Sequence, residues 1–243
     1  MATETTEDAF LGGQLVLSQP KKGYRVGLDA VLLAAAVPGR GGLALDMGCG
    51  VGAVVLGAAV REPGWRFVGL EADPEAISLA RQNTSRNGLH ERVSIEAGDA
   101  LDLPADWQNR FDLVVSNPPY FEPGQISAPS EGRAAAWLNR GGLKAWLNAM
   151  IFACRPKGRV TLIHRAHELA RILAVLDRQA GEISVLPLHP HSGEPASRVI
   201  VTCRKGLRPG PLSLLAGRLL HEGEGPTDWL DAVSRGQQYA LSE

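Results

Sequence analysis

Short apolar runs with the composition of β-strands alternate along this chain with longer stretches of helical periodicity. This alternation is typical of repeated strand–helix–strand units, which build a parallel sheet covered by helices. Seven strand candidates are predicted, at residues 43–46, 66–70, 93–96, 111–116, 159–164, 183–188 and 198–204. Helices are predicted from Asp29 to Val37 and at 51–61, 74–87, 144–154, 166–180 and 227–235.

The last two strand candidates are separated only by a short segment rich in proline and polar residues. Because this segment has no room for a helix, we expect the two strands to pair as an antiparallel hairpin. The predicted fold is therefore α/β, with five parallel strands and a terminal hairpin in one sheet. The stretch LSLLAGRLLHE, which follows the hairpin, fits either a helix or a strand.

The bulk composition predicts a single globular domain. The 243 residues are 44% hydrophobic and 21% charged, with a net charge of −1, so only a local basic patch would favour nucleic acid. We expect residues 1–9 to be disordered, 10–40 to form an N-terminal segment near substrate and cofactor, 41–208 to form the core, and 209–243 to be an extension. The chain is predicted to be a cytoplasmic protein that contacts no membrane, because no signal-like or membrane-spanning stretch is present.

Three separated cysteines, Cys49, Cys154 and Cys203, predict neither a disulfide framework nor a zinc site. The histidines likewise lack the spacing of metal ligands, so no metal site is expected. The sequence does not indicate an oligomeric state.

A glycine-rich stretch, Asp46-Met47-Gly48-Cys49-Gly50-Val51-Gly52, leaves the first predicted strand of the sheet and opens a helix. Glycines at such a turn let a nucleotide approach the backbone, and an acid at the end of the next strand can bind ribose hydroxyls. Glu71 stands in that position, 19 residues after Gly52. The pattern therefore predicts a nucleotide-type cofactor.

Asp46 helps to decide which cofactor this is. A carboxylate beside the turn would repel a pyrophosphate, but it suits the cationic amino-acid end of S-adenosylmethionine (SAM). Asp99, in Gly98-Asp99-Ala100 after the third strand, is placed to accept a hydrogen bond from an adenine amino group. An ordinary turn aspartate is an equally good reading of Asp99 from residue type alone.

A second polar motif, Asn117-Pro118-Pro119-Tyr120, directly follows the apolar run of the fourth strand. In the order DMGCGVG, GLEADPEAISLARQN, GDA and FDLVVSNPPY, these stretches resemble the Rossmann-like class I SAM-dependent methyltransferases. NPPY in this place resembles the families that methylate planar amino or amide nitrogens. Within them, the chain is most similar to the bacterial enzymes that methylate N6 of the adenine 3′ of the anticodon in a valine tRNA.

The resemblance runs from about residue 10 to residue 208, and it includes the early stretch FLGGQLVLSQPKKGYRVGLDAVLLAAAV. It implies a seven-stranded mixed sheet with an antiparallel last strand and helices on both faces. It also implies that SAM is held by Asp46, Gly48, Gly50, Glu71, Asp99 and Asn117, with Arg25 and Gly27 approaching the cofactor. The nearly neutral charge departs from the basic surface that is common in this family.

The chemistry explains why the motif contains these residue types. An exocyclic amine conjugated to a ring is a poor nucleophile, and two acceptors on its N–H bonds relieve charge as a methyl group arrives. We expect the Asn117 side-chain oxygen and the Pro118 carbonyl to be these acceptors, stiffened by the prolines. Tyr120 offers a ring on which a base can stack.

Five further residues are predicted to contact an RNA substrate: Pro119, Phe121, Lys21, Lys22 and Arg133. Three alternatives remain open from the sequence. They are methylation of glutamine N5 in a protein such as a release factor, methylation of guanine N2 in rRNA, and a SAM- or RNA-binding module without catalysis. The short segment before the first nucleotide-binding strand argues against the first, and an intact Asn117 and Tyr120 argue against the last.

Overall fold

The computed structural model describes residues 4–22, 25–120 and 140–237. The strands are β1 Thr5–Phe10, β2 Leu15–Pro20, β3 Gly42–Met47, β4 Trp65–Glu71, β5 Val93–Ala97, β6 Phe111–Ser116, β7 Cys154–Arg165, β8 Ala180–His189, β9 Arg198–Lys205, β10 Ser213–Leu214, β11 Arg218–Leu219, β12 His221–Glu222 and β13 Gly225–Pro226. The helices are α1 Leu28–Ala35, α2 Ala53–Arg61, α3 Pro74–Arg86, α4 Gly142–Ala153, α5 Leu169–Leu176 and α6 Asp228–Ser234.

The central sheet has the order β10-β8-β9-β7-β6-β3-β4-β5, with β11 also paired to β8. Strands β3 to β7 run parallel, whereas β9 is antiparallel to both β7 and β8. The α/β class, the seven predicted strands and the antiparallel last strand are therefore confirmed. Short strands β10 and β11 from the tail enlarge the sheet to nine strands within the described residues.

Helices cover both faces of this sheet. Along β6, Leu113 and Val115 join one buried cluster with residues of α1, α2, α3 and α6, whereas Val114 joins the other with residues of α4 and α5. Alternate residues of a strand point to opposite faces, so this division is what a doubly covered sheet requires. The carboxyl ends of β3, β4 and β6 consequently meet at one edge, where the sequence places its polar motifs.

The N-terminal expectation is wrong for residues 5–9, because β1 and β2 form an antiparallel hairpin. Asn83 on α3 and Asn87, the C-cap residue of that helix, hold the free edge of β2. The Asn83 amide exchanges hydrogen bonds with the backbone of Ser18 (2.7 and 3.0 Å), and Asn87 does so with Val16 (3.0 and 2.9 Å). These amides satisfy β2 as a neighbouring strand would, which orders the segment.

Helix α1 also differs from the prediction at its start. Gly27 occupies the N-cap position, and Asp29 lies within the first turn instead of capping the helix. The Asp29 carboxylate is used by a tertiary contact, since it accepts a hydrogen bond from Arg198 Nε at 3.2 Å. Of the helices within the described ranges, none has the length and apolar content needed to cross a bilayer.

Candidate active site

The turn between β3 and α2 follows a path that suits glycine. Gly48, Gly50 and Gly52 have φ values of 76°, 55° and 90°, all in the left-handed region where a side chain is strained. A Cβ added to Gly48 would lie 2.9 Å from the Trp146 ring. The backbone N–H groups of Gly48 and Cys49 both donate to Leu70 O at 2.9 Å, so the turn is fixed against the end of β4.

Asp46 is a buried carboxylate directly before this turn. Its side chain is 1% exposed, and its Oδ2 atom has no hydrogen-bond partner among the described residues. Burial raises the pKa of Asp46 to about 7, opposed by a hydrogen bond from the Val55 backbone and assisted by the nearby Glu71 charge. An unpaired buried carboxylate facing a cavity is a group that a cationic ligand would stabilise.

Glu71 ends β4 and organises the same turn. Its Oε2 accepts the Gly50 N–H at 2.8 Å, and its Oε1 accepts the N–H groups of Ala72 and Asp73 at 2.8 and 3.0 Å. Each carboxylate oxygen offers about two lone-pair positions, so acceptor capacity remains for a ligand hydroxyl. Glu71 thus positions the glycine turn and keeps acceptor capacity on the wall of the same cavity.

Asp99 follows β5 and pairs with Arg140. One oxygen accepts the Leu101 N–H at 2.8 Å, and the other accepts Arg140 Nη1. Partial burial raises the pKa of Asp99, but the hydrogen bonds from Arg140 and Leu101 and the Arg140 charge outweigh it, so the pKa lies below its usual value. The carboxylate is therefore ionised near neutral pH, and its oxygens can accept a hydrogen bond from an amino group.

The NPPY motif projects from the end of β6, and Tyr120 is its best-anchored residue. The Tyr120 hydroxyl lies within hydrogen-bonding distance of both Asn117 Oδ1 and Asp29 Oδ2, the latter at 3.2 Å. The guanidinium groups of Arg165 and Arg198 lie over the ring at 5.4 and 5.5 Å from its centroid. The ring orientation is thus set by charged groups from β7, β9 and α1.

Ser116 connects the carboxyl end of β6 to the neighbouring elements. The Trp146 indole N–H donates to Ser116 Oγ at 2.9 Å, and that hydroxyl donates to Met47 O at 2.7 Å. All three groups are buried. This chain of contacts connects α4, β6 and β3, so it fixes the NPPY motif relative to the glycine turn.

One cavity of about 670 Å³ brings the two motifs together. We call it the cofactor cavity, and its walls include the predicted residues Asp46, Gly48, Gly50, Glu71, Asp99, Asn117, Pro118, Pro119 and Tyr120. The described residues contain no cluster of three or more side chains suited to hold a metal ion.

Other predicted contacts lie elsewhere in the structure. Arg25 and Gly27 are not among the described residues that line the cofactor cavity. Arg25 Nη2 instead pairs with Asp8 at 3.0 Å, because the β1–β2 hairpin brings that carboxylate next to it. Lys21 pairs with Glu4 at 3.2 Å, and Lys22 is exposed at the end of β2. Phe121 and Arg133 lie outside the described residues.

Four residues that contact Tyr120 were missed by the sequence reasoning: Asp29, Arg198, Arg165 and His164, the last with its ring edge-on at 4.8 Å between centroids. They come from α1, β9 and β7, so no local pattern connects them. Trp146 was also missed, since it reads as an ordinary core residue of an amphipathic helix.

Comparison with known proteins agrees with this geometry. A family model described as a methyltransferase domain matches residues 40–174. A tRNA1(Val) (adenine(37)-N6)-methyltransferase from Mannheimia succiniciproducens is 30% identical over 164 residues, which are 67% of this chain and 68% of that protein. The protein of the same name from Aeromonas hydrophila is 33% identical over 207 residues, or 82% and 84% of the two chains.

A solved structure shows the same fold. The crystal structure of a predicted O-methyltransferase, protein Atu636 from Agrobacterium tumefaciens, superposes with a TM-score of 0.73. It covers 88% of this chain and 100% of that one at 24% identity. At this identity, the likeness supports the architecture and carries no information on the substrate.

Proposed function

Since this chain belongs to the SAM-dependent tRNA1(Val) (adenine(37)-N6)-methyltransferase family, we propose that it transfers a methyl group from SAM to N6 of an adenine in tRNA. The observation that carries the proposal is a single cavity. Its walls hold an unpaired buried carboxylate, an acid at the end of the next strand and the polar residues of NPPY. These are the groups that a cationic nucleoside donor and an amine acceptor together require.

The described residues fit SAM. When bound, SAM supplies an electrophilic methyl group carried on a positively charged sulfur. Asp46 would hold the cationic part of the ligand, which would leave its buried carboxylate paired, and Glu71 would accept hydrogen bonds from the ribose. Asp99 would take the adenine amino group. The left-handed glycines let these contacts form close to the backbone.

Asn117 and Pro118 act on the substrate amine. The amide oxygen of Asn117 and the carbonyl of Pro118 would accept hydrogen bonds from its two N–H groups, which favours a pyramidal nitrogen with its lone pair less delocalised into the ring. As the nitrogen gains the methyl group, the bond from that carbon to sulfur breaks, and the amine afterwards releases one of its protons to solvent. Fixed acceptors cost little reorganisation during the reaction, and the two prolines keep this turn rigid. The remaining advantage comes from holding the amine in line with the methyl group.

Tyr120 has two tasks in this proposal. Its hydroxyl contacts Asn117 Oδ1 and so orients the amide, leaving a second lone pair on that oxygen for the substrate amine. Its ring stacks against the adenine, which stabilises binding by about 1–3 kcal/mol. Arg165 and Arg198 lie over the ring, so the base and a guanidinium compete for any face that they share.

The target must leave its stack to enter the cavity. Extruding a base costs a few kcal/mol in a duplex and less in a loop, where it is already partly unstacked. An adenine in a tRNA loop is therefore a physically suitable substrate. The relatives are named for adenine 37 of tRNA1(Val), which supports that adenine as the target of this chain.

The test is methyl transfer from labelled SAM to separate tRNA, rRNA and protein fractions, followed by digestion and identification of the product. We expect N6-methyladenosine in tRNA. The control is the Asn117→Ala variant, which should bind SAM normally and transfer no methyl group because one amine acceptor is missing. Methylglutamine in protein or N2-methylguanosine in rRNA, with unlabelled tRNA, would overturn the proposal.

A further inference from the structure

A second cavity of about 700 Å³ adjoins the cofactor cavity. The two share Pro119 and Tyr120, so the NPPY motif separates them. We call the second one the basic cavity; it lies between the start of α4, the end of β7 and α5. The described reaction assigns it no role, although it opens beside the residues that receive the target base.

The basic cavity carries a concentration of positive charge. Its walls contain Lys144, Arg165, Arg171 and Arg178 against the single carboxylate of Glu168. With neutral histidines, four cations and one anion leave a local charge of +3, in a chain whose net charge is −1. A patch of this sign in an otherwise balanced protein marks a partner with negative charge.

Two of these cations are available to a ligand. Lys144 in the first turn of α4 and Arg178 after α5 are exposed, and neither makes an ion pair within the part of the chain that the structure describes. Arg171 has a 79% exposed side chain and pairs at 3.1 Å with Glu168. A surface pair of this kind is weak and readily exchanged for a phosphate.

The start of α4 adds further donors. Gly141, Gly142 and Leu143 line the basic cavity, and α4 begins without a side-chain cap. The backbone N–H groups of a helical first turn favour an anion. His164 lines the same cavity while only 4% exposed, and both ring nitrogens lack a hydrogen-bond partner among the described residues.

Other basic side chains are less well placed. Lys21 and Arg25 pair with carboxylates of the N-terminal segment and are not among the residues that line the basic cavity, and Arg140 pairs with Asp99 in the cofactor cavity. Arg204 and Lys205 lie at the end of β9, which is antiparallel, so they reach the sheet edge opposite the site. Within the described residues, the basic cavity therefore offers exposed positive charge directly beside NPPY.

We propose that the basic cavity holds the phosphates of the nucleotides that flank the target adenine. The inference rests on the proposed function and names the surface by which the same site receives its RNA. Contacts to phosphates fix the register of a strand without reading its sequence. Phosphates held here would place the neighbouring base at Pro119 and Tyr120, where the two cavities meet.

The experiment compares two double variants that remove the same charge. Lys144→Ala with Arg178→Ala removes two exposed cations of the basic cavity. Arg40→Ala with Arg66→Ala removes two exposed cations at the amino ends of β3 and β4, the opposite sheet edge. Binding of unmodified tRNA is measured by filter retention over a series of salt concentrations, with SAM affinity measured by calorimetry and methyl transfer in parallel.

We expect the cavity variant to bind tRNA about tenfold more weakly and to have a higher KM for tRNA. The slope of log affinity against log salt concentration should be shallower by about 1.4, since each phosphate contact to a single strand contributes about 0.7. Its SAM affinity should equal that of the control, which shows that the fold is intact. Equal tRNA binding by both variants, while wild type methylates tRNA, would overturn the basic cavity and leave the function standing. Wild type that neither binds nor methylates tRNA would overturn both.

Discussion

Replacing Asp46 by asparagine removes a buried charge while keeping the shape of the side chain. The carboxylate is 1% exposed, one of its oxygens lacks a hydrogen-bond partner among the described residues, and burial raises its pKa to about 7. Asparagine imitates the neutral, protonated form. The variant therefore isolates the free-energy contribution of the ionised carboxylate to the stability of the ligand-free protein.

The magnitude follows from the pKa of Asp46. A rise from the ordinary value of 3.8 to about 7 corresponds to about 4 kcal/mol at 1.36 kcal/mol per unit. Above pH 3.8 the unfolded state loses a proton that the folded state keeps, so the free energy of unfolding falls as the pH rises. The full stability is present below pH 3.8, and this part of it is lost once the pH has risen through 7. Of this total, about 3 kcal/mol should be lost by wild type relative to Asp46→Asn between pH 5 and pH 8.5.

The assay is urea unfolding of both proteins at intervals from pH 5 to pH 8.5. Asp99→Asn is the control, because the pKa of Asp99 is lowered and its carboxylate is ionised throughout this range. A cationic ligand favours the ionised form of Asp46. SAM binding to wild type should consequently strengthen up to pH 7 and release a proton, seen as a dependence of the calorimetric heat on buffer ionisation enthalpy. The Asp46→Asn variant should bind weakly and release none.

Stability curves of wild type and Asp46→Asn that run parallel from pH 5 to pH 8.5 would refute the reasoning. Such a result would mean that Asp46 is ionised at little cost in the ligand-free protein. SAM affinity in Asp46→Asn equal to that of wild type would separately exclude the contact with the cationic part of the ligand.

Three further outcomes are expected. Glu71→Ala should weaken SAM binding by about tenfold or more, since hydrogen bonds to a charged acceptor contribute roughly 1.5–3 kcal/mol each. Calorimetry measures this, with Glu75→Ala, a change at an exposed glutamate, as the control. An unchanged Kd in Glu71→Ala would exclude the ribose contact. Tyr120→Phe should lower methyl transfer slightly and Tyr120→Ala by roughly ten- to a hundredfold, because the ring provides the stacking surface; equal activity of the two would rule out stacking. Burial lowers the pKa of His164 to about 4, so the folded state keeps this imidazole neutral while the unfolded state gains a proton. The free energy of unfolding should therefore fall by about 3 kcal/mol as the pH falls from 6.5 to 4. In urea unfolding, His164→Gln should remove this dependence on pH, whereas His167→Gln, a change at an exposed histidine, should not. The same decrease in stability at acid pH in His164→Gln and wild type would contradict a neutral His164.

The parts of the fold that the sequence predicted well are those set by neighbouring residues. Strand period, the glycine turn and the proline after β6 are local signals, and their chemistry is fixed by steric limits on the backbone. Asp46, Glu71 and Asn117, which the family resemblance grouped as cofactor contacts, lie at or just after the ends of parallel strands, and these strands end at one edge of the sheet.

The unpredicted parts depend on contacts between distant segments. The hairpin of β1 and β2 is held in place by Asn83 on α3 and by Asn87 at the end of that helix, more than 60 residues away along the chain. Nothing in the acidic N-terminal sequence indicates these partners. Asp29 was read as a helix cap because residue type and position allow it. Its carboxylate instead contacts Arg198 and Tyr120. These contacts form only when α1 packs beside the ends of β6 and β9 in the folded protein.

Helix α4 has a consequence for how the two ligands affect each other's affinity. Trp146 lies against the glycine turn on one side of this helix, and Lys144, two residues earlier, lines the basic cavity. A displacement of α4 by one ligand therefore changes the wall that the other ligand meets. Thermodynamic linkage then requires reciprocity: whatever factor SAM applies to the affinity for RNA, RNA applies to the affinity for SAM.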